Sequence, residues 1–173
     1  MKTFIAQGIG MIGTVLIILS FQCKSTRKLF LMQVYSNLLY IAHFFLLGAY
    51  NGCATMVLHL VRNVTFSSKG TWAKWKGWPA VLVALQVVVT AVTWSGIFSV
   101  LLCVGTTTII LSGWSRNAKN VRVANFFVNS PAWLLYDIYT HSISGIICEV
   151  FCEVSVVVSI LRYGWKALDV KEE

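Results

Sequence analysis

Two stretches of this sequence repeat each other and define its architecture. Residues 13–20 read GTVLIILS, and residues 105–112 read GTTTIILS, 92 positions later. Each stretch lies in a long apolar run and is followed by a short basic loop, 24–28 in the first case and 116–122 in the second. Because apolar run, basic loop and second apolar run recur in the same order, the sequence predicts an internal repeat.

The composition around these stretches is that of a membrane protein. The 173-residue chain is 57% hydrophobic and 12% charged, whereas an ordinary soluble domain is about half apolar and a quarter charged. This balance argues strongly against a soluble enzyme and against a disordered chain. The apolar residues also form long runs, which predicts a polytopic membrane protein.

Seven segments approach the length that a helix needs to cross a bilayer, which is about 17–25 residues. They are 4–21, 29–50, 53–66, 79–94, 97–114, 121–140 and 143–163. The third and fourth are short, and the alternative is a re-entrant third helix with six spans. The expected fold is therefore an all-α bundle of seven transmembrane helices.

The positions of the 14 Lys and Arg residues favour the seven-span topology. With seven spans, one membrane face carries Lys2 alone. The other face carries Lys24, Arg27, Lys28, Arg62, Lys69, Lys74, Lys76, Arg116, Lys119, Arg122, Arg162, Lys166 and Lys171. Because basic loops stay in the cytoplasm, we expect the N-terminus outside and the C-terminus inside. Topology and contact with anionic lipid then explain the net charge of +8, and no nucleic-acid partner is expected.

We expect a single integral membrane domain over residues 1–173. Its parts are a first three-helix bundle (1–68), an interfacial loop with a linker helix (69–95), a second three-helix bundle (96–165) and a cytoplasmic tail (166–173). The linker is one span, so both triplets have the same orientation in the membrane. Parallel repeats of this kind place a binding site near the midplane between the two halves.

Charged side chains inside the spans are the strongest functional signal, because each costs roughly 2.5–3.5 kcal/mol at mid-membrane. Glu149 and Glu153 are one turn apart and share a helix face. Arg62, with Asn63 beside it, lies at a similar depth in the third span. We expect Arg62 to contact Glu153 across the two bundles, with Glu149 and His59 nearer the outside. Either a structural ion pair or the polar floor of a solute cavity would explain this cluster.

The arrangement of two three-helix bundles joined by one helix resembles the SWEET and PQ-loop transporters. The sequence itself is similar to the YgjV family of bacterial inner-membrane proteins. The resemblance lies in STRKLFLMQ (25–33), HFFLLGAYNG (43–52), RN (62–63), SPAWLLYD (130–137) and SILR (159–162). The chain lacks the Pro-Gln dipeptide of the transporters and the prolines of their first and fifth helices. The resemblance therefore implies that Gly13 and Gly105 replace these prolines as hinges, and Pro131 is the expected hinge of the sixth span.

Trp133 differs from the other tryptophans because it lies near the middle of the sixth span. It follows Pro131, which removes a backbone hydrogen bond and kinks a helix. In SWEET-type carriers an aromatic residue at the matching repeat position packs on the sugar, which implies this role for Trp133, with Tyr40 as its partner. The alternative is a tryptophan that packs helices together. The expected solute contacts are Trp133, Tyr40, His43, Asn129, Tyr136 and His59.

Other motifs are interpreted as structural. Gly8, Gly10 and Gly13 spell GxGxxG inside a membrane span, which favours close helix packing over nucleotide binding. Cys148 and Cys152 are one turn apart, but one such pair is weak evidence for a metal, and no metal or cofactor is expected.

Catalysis has little support in the sequence. The sequence contains no recognisable set of nucleophile, general base and orienting group, so an enzyme is not expected. Asp137, near the outer end of the sixth span, is expected at the solvated rim.

The leading expectation is a carrier for a sugar-like or other polar metabolite in the inner membrane. The alternative is a non-transporting interaction or regulatory protein on the same scaffold, with the loop KGTWAKWKGW (69–78) as its contact surface. A homodimer through the glycines of the first span is compatible with either function. The expected partners are thus the lipid bilayer and an unknown small polar solute.

Overall fold

A computed structural model describes residues 2–169, with the side chain of Lys2 excluded. The last four residues of the expected tail, which include Lys171, lie outside the described residues. The helices are α1 (Lys2–Phe21), α2 (Thr26–Leu47), α3 (Tyr50–Ser67), α4 (Trp78–Val92), α5 (Ile97–Trp114), α6 (Ala118–Ala124), α7 (Ser130–Tyr139), α8 (Ile143–Tyr163) and α9 (Trp165–Leu168). A 3₁₀ turn, Thr71–Lys74, precedes α4, and a π turn, Asn125–Asn129, joins α6 to α7 without a break.

Within residues 2–169, four segments are long and apolar enough to cross a membrane, namely Thr3–Phe21, Thr26–Leu47, Ile97–Trp114 and Ile143–Tyr163. The shorter α4 is also apolar, and its 15 residues span about 22 Å. The third expected span, α3, has 18 residues but buries several polar side chains. The described chain is therefore an all-helical, membrane-compatible bundle.

Glycine and serine residues fix where the long helices begin and end. The Ser25 hydroxyl accepts a hydrogen bond from the backbone N–H of Lys28 at the start of α2, and Gly48 ends this helix with a left-handed φ of 74°. This cap stops α2 three residues before the expected end at residue 50, and α3 begins at once. At α8, the Ser142 hydroxyl accepts from the N–H of Gly145, and Gly164 ends the helix with φ 76°.

The helix contacts close a ring. α1 packs on α2 and α2 on α3, while α5 packs on α7 and α7 on α8. Contacts of α1 with α8 and of α3 with α5 join the two triplets at both ends. α4 packs against α3 and α5. In the first triplet α2 therefore lies between α1 and α3, and in the second triplet α7 lies between α5 and α8.

The repeated glycines lie at close helix contacts. A Cβ atom on Gly13 would lie 3.0 Å from the ring carbons of Tyr40 on α2, and one on Gly105 would lie 3.3 Å from the Cα atom of Asn129. Both α1 and α5 run unbroken through these residues. The glycines therefore allow close packing in both triplets, and their role as hinges stays a prediction.

Two of the three glycines in the GxGxxG motif of α1 pack against other helices of the same chain. A Cβ atom on Gly10 would overlap the side chain of Ser144 on α8, and Gly13 packs on α2. The structural interpretation of the motif is thus confirmed for these two residues. Gly8 has no neighbouring atom within 4 Å of a Cβ position, so it alone of the three is free to face a second copy.

Arg122 connects three segments at one end of the bundle. Its Nη2 atom donates to the carbonyl oxygens of Phe21 and Cys23, at 2.8 and 2.9 Å, in the turn between α1 and α2. Its Nε atom donates to the Ser159 hydroxyl of α8 at 2.9 Å. The side chain is fully buried, so this basic residue is a structural clamp.

The remaining basic loops meet at the same end. Arg27 donates to the Ser67 carbonyl at the end of α3, at 2.7 Å. Lys119 forms an ion pair with Asp169 at 2.8 Å, and hydrogen bonds from this Lys and from Asn117 lower the pKa of the exposed Asp169 carboxyl. The loops after α1, α3 and α5 and the C-terminal segment thus form one basic end of the bundle.

Candidate solute-binding site

A small cavity lies inside the ring of helices, and we call it the central cavity. Its volume is about 50 Å³, which exceeds the 10–15 Å³ needed by one water but is far below the roughly 300 Å³ of ordinary ligand pockets. α1, α2, α3, α5, α6, α7 and α8 all contribute to its wall. The polar lining residues are Gln33, Asn37, His59, Arg62, Asn125, Asn129 and Glu149, and the others are Ile17, Phe21, Phe30, Met56, Ile109, Val121, Trp133 and Cys152.

Arg62 brings a buried positive charge to the cavity. Its Nε and Nη2 atoms both donate to the side-chain oxygen of Asn63, at 2.9 and 2.7 Å. Its guanidinium carbon lies 5.7 Å from the ring centre of Phe30. The third nitrogen, Nη1, is buried and has no hydrogen-bond partner. One edge of the guanidinium is therefore occupied by Asn63, and the other is free.

The expected contact between Arg62 and Glu153 is not formed. The ion pair of Lys119 with Asp169 is the one such pair in the described part of the chain. Asn63, the next residue in sequence, occupies the Nε and Nη2 edge of Arg62. The prediction was wrong because this edge is taken by a neighbouring amide and because Glu153 lies outside the cavity lining, where it does not reach the free Nη1 atom.

The two carboxylates of α8 occupy different positions. Glu149 lines the central cavity, and its Oε2 atom accepts a hydrogen bond from the Ser130 hydroxyl of α7. Glu153 is half-buried and outside the lining, and its buried Oε1 atom has no hydrogen-bond partner. Of the predicted charge cluster, Arg62 and Glu149 therefore line the cavity and Glu153 does not. Asn63 orients Arg62 by accepting its two hydrogen bonds.

Four amide side chains line the cavity from the middle helices of the two triplets. Asn129 donates from Nδ2 to the Oδ1 atom of Asn125 at 2.9 Å. Asn125 Nδ2, Asn129 Oδ1 and Asn37 Nδ2 are buried without partners. Gln33 donates to the Ser20 hydroxyl at 3.2 Å. The unpartnered atoms are thus available to a polar molecule in the cavity.

These amides are also related by the repeat. Gln33 and Asn125 are separated by the same 92 positions as the glycines, and so are Asn37 and Asn129. Sequence reasoning identified Asn129 and missed the other three, although the offset that revealed the repeat would have found them.

The π turn before Pro131 shapes this side of the cavity. The N–H of Ser130 bonds the Asn125 carbonyl five residues earlier, and Pro131 lies in the first turn of α7. Proline has no N–H and its ring displaces the carbonyl four residues before it. The expected distortion therefore takes the form of a π turn, and π turns are frequent at functional sites.

Trp133 lines the cavity and is 2% exposed. Its ring centre lies 5.6 Å from that of His59 and 5.8 Å from those of Phe44 and Tyr136. His59 also lines the cavity and shares a hydrogen bond of 3.0 Å with the Thr106 hydroxyl of α5. The side chain of Trp133 thus both packs helices together and borders the cavity.

Three predicted solute contacts lie outside the lining. The Tyr40 hydroxyl bonds that of Thr14 at 2.7 Å. Tyr136 accepts from the backbone N–H of Gly52 at 2.7 Å. His43 bonds the Ala6 carbonyl and the Ser142 hydroxyl, both at 2.8 Å. The structure therefore brings Trp133, Asn129 and His59 to the cavity, while Tyr40, Tyr136 and His43 hold the surrounding helices.

Asp137 does not lie at a solvated rim, contrary to expectation. It is 1% exposed, and a Cβ atom on Gly145 would overlap its carboxylate. The tight turn after α7, with His141 at φ 54°, brings the start of α8 against it. The absence of a side chain at Gly145 thus leaves room for the Asp137 carboxylate to be buried. The place of Asp137 near the end of the sixth span did not indicate this burial.

Cys148 and Cys152 have their sulfur atoms 3.8 Å apart. Over residues 2–169, no group of three or more His, Cys, Asp or Glu side chains could hold a metal ion.

The outer surface and the interior together define a class of protein. Phe4, Val92, Phe127 and Leu161 are each more than 70% exposed, whereas polar side chains gather inside the ring. A soluble monomer rarely exposes large apolar side chains along all of its long helices, as this chain does, so the chain is an integral membrane protein.

The chain belongs to the Imp-YgjV family, described as a bacterial inner membrane protein, whose model matches residues 4–166. The similarity to the YgjV family is thereby confirmed. No curated protein and no solved structure matches the chain, and no comparison connects it with the SWEET or PQ-loop transporters.

Proposed function

We propose that this protein is a small-solute carrier of the bacterial inner membrane that works by alternating access. The proposal rests on one observation above all, the central cavity. Every helix of the ring contributes to its wall, and four polar atoms in it are buried without partners. Buried polar groups are normally satisfied in proteins, so such a group of exceptions needs an explanation. A polar solute that passes through the ring supplies one.

The proposed topology is seven spans in a 3+1+3 arrangement of parallel repeats, with the N-terminus outside. Helix contacts support it, because α1–α2–α3 and α5–α7–α8 have the same order and α4 packs against α3 and α5. The basic end supports the orientation, since basic loops remain in the cytoplasm.

The two joints of the ring are the proposed gates. Thr14 of α1 donates to the Ser144 carbonyl of α8 at 3.1 Å. Thr106 of α5, its counterpart 92 residues later, bonds His59 of α3 at 3.0 Å. Because the cavity of about 50 Å³ is too small for a sugar-like or other polar metabolite, the triplets must move apart to admit one. Rocking about these joints opens the cavity to one side at a time.

Cys152 allows a test that needs no knowledge of the solute. It lines the cavity and is 2% exposed, so a membrane-impermeant thiol reagent reaches it only when the cavity opens. We would retain Cys152 as the one cysteine, by replacing the other four with serine, and label right-side-out and inside-out vesicles. Matched variants that retain Cys23, at the basic end, or Cys53, at the opposite end, report access to a single side.

The alternative function, membrane interaction without transport, is favoured by the exposed aromatic residues of the loop 69–78. Trp72 and Trp75 are 50% and 57% exposed, and the Trp78 indole donates to the Trp72 carbonyl at 2.8 Å. Replacing both Trp72 and Trp75 with leucine would impair an interaction protein and spare a carrier. Two-sided labelling of Cys152 that persists in this double variant supports the carrier.

A further inference from the structure

We propose that the solute of the central cavity carries a carboxylate group and that Arg62 binds it. This inference rests on the proposed carrier function and specifies its substrate class. It starts from the one buried guanidinium that lines the cavity and has a nitrogen without a partner.

The charge of Arg62 lacks a counter-ion in the described structure. A buried ion without a partner is strongly unfavourable, and hydrogen bonds to a neutral amide offset only part of the loss of hydration. Asn63 occupies the Nε and Nη2 edge. Nη1 retains its N–H donors, because a guanidinium has five donors and no acceptor. An anionic oxygen is the group that satisfies both the charge and the free donors.

The amides beside Arg62 can complete the site. Asn37 Nδ2 and Asn125 Nδ2 are unpartnered donors, and Asn129 Oδ1 is an unpartnered acceptor. Rotation of an amide exchanges its donor and acceptor ends, so these residues adapt to either kind of group. The preference for an anion therefore comes from Arg62, whose donors cannot be reversed.

Among the described residues, Arg62 is the one arginine or lysine in the cavity lining and can compensate a single negative charge. A phosphate or dicarboxylate would bring a further anionic group that no cation in the cavity neutralises. A neutral polyol would leave the charge of Arg62 uncompensated, and a cation would be repelled by it. The remaining class is a small solute with one carboxylate, either a simple monocarboxylate or an amino acid whose ammonium group faces Glu149.

Ligand-induced thermal stabilisation of the purified full chain tests this class, because a ligand that binds the native state raises its stability. The probes are matched pairs at equal ionic strength, namely lactate against 1,2-propanediol and L-alanine against L-alaninamide. We expect the member with the carboxylate to raise the melting temperature and its partner to leave it unchanged. A larger effect of lactate assigns a monocarboxylate, and a larger effect of alanine assigns an amino acid.

Variants locate the effect at Arg62. Arg62→Gln should abolish the stabilisation, whereas Arg162→Gln should retain it, because Arg162 is exposed at the basic end. Arg62→Lys keeps the charge but loses the planar fork, so binding should weaken about tenfold. This second variant keeps the test valid if Arg62→Gln does not fold. The inference is overturned if neither carboxylate has an effect, if the neutral partners stabilise equally, or if Arg62→Lys binds as tightly as the unchanged protein.

The two proposals can fail separately. If Cys152 is labelled from both sides but no carboxylate stabilises the protein, the carrier stands and the substrate class is wrong. If carboxylates stabilise the protein through Arg62 but Cys152 is labelled from one side alone, the binding site stands and transport is wrong.

Discussion

Gly105 allows α5 and α7 to approach closely at the wall of the central cavity. We expect Gly105→Val to lower the free energy of unfolding by about 1–3 kcal/mol, because added methyl groups would overlap a neighbouring backbone that cannot move aside. A Cβ atom there already lies 3.2 Å from the Cβ atom of Ala132 in α7 and 3.3 Å from the Cα atom of Asn129 in the π turn. Thermal unfolding in detergent measures the effect.

Gly8→Val is the matched control for this substitution. It makes the same chemical change in a helix, but no atom lies within 4 Å of its Cβ position. Equal melting temperatures of the two variants would contradict the close contact between α5 and α7.

Among the residues that line the cavity, the sequence identified the ionisable side chains and the large aromatic Trp133 more readily than the neutral amides. Arg62, His59 and Glu149 stood out because ionisable residues are rare inside membrane spans, and all three line the cavity. Asn37 and Asn125 did not stand out, because a single amide in an apolar helix carries no comparable signal. The prediction of an Arg62–Glu153 contact was wrong because the partner of Arg62 is its neighbour Asn63. The spacing of residues in the sequence does not show which of several nearby groups will bind a side chain.

Arg122 of α6 connects this helix with α8 and with the turn after α1. We expect Arg122→Met to lower the free energy of unfolding by about 2–4 kcal/mol, because it leaves the buried Phe21 carbonyl and the Ser159 hydroxyl without their donor. Arg162→Met, which removes an exposed arginine from α8, serves as control. A loss of stability that is the same in both variants would mean that Arg122 does not act as a clamp.

The limits of two helices were predicted to the residue. The expected spans 97–114 and 143–163 coincide with α5 and α8. α2 ended early because Gly48 caps it, and the sixth span contains a π turn where a simple proline kink was expected. Local residues set these ends, whereas the form of a distortion depends on how the surrounding helices pack.

Topology is a property of the whole molecule. If the basic end is cytoplasmic, a fluorescent protein that matures only in the cytoplasm should fluoresce when fused after residue 169. The same reporter should stay dark when fused after residue 49, in the turn between α2 and α3. Alkaline phosphatase, which is active only outside the cytoplasm, should give the opposite pattern at both points. Any other pattern would contradict the proposed seven spans.

The distribution of charge along the whole sequence indicated that the basic loops lie together at one end of the bundle. The basic loops after α1, α3 and α5 are far apart in sequence, yet Arg122 and Arg27 connect them at one end of the bundle. Long apolar runs and the repeat predicted an all-helical bundle in the same way. The size of the central cavity and the set of residues that line it depend on side-chain packing, which could not be predicted from patterns in the sequence.

Two-sided labelling of Cys152 tests alternating access most directly. We expect Cys152 to react with an impermeant reagent in both right-side-out and inside-out vesicles, while Cys23 and Cys53 each react in one kind alone. Only a cavity that opens in turn to each face gives this result from a residue that is 2% exposed. Reaction of Cys152 in one kind of vesicle, or in neither, would contradict alternating access.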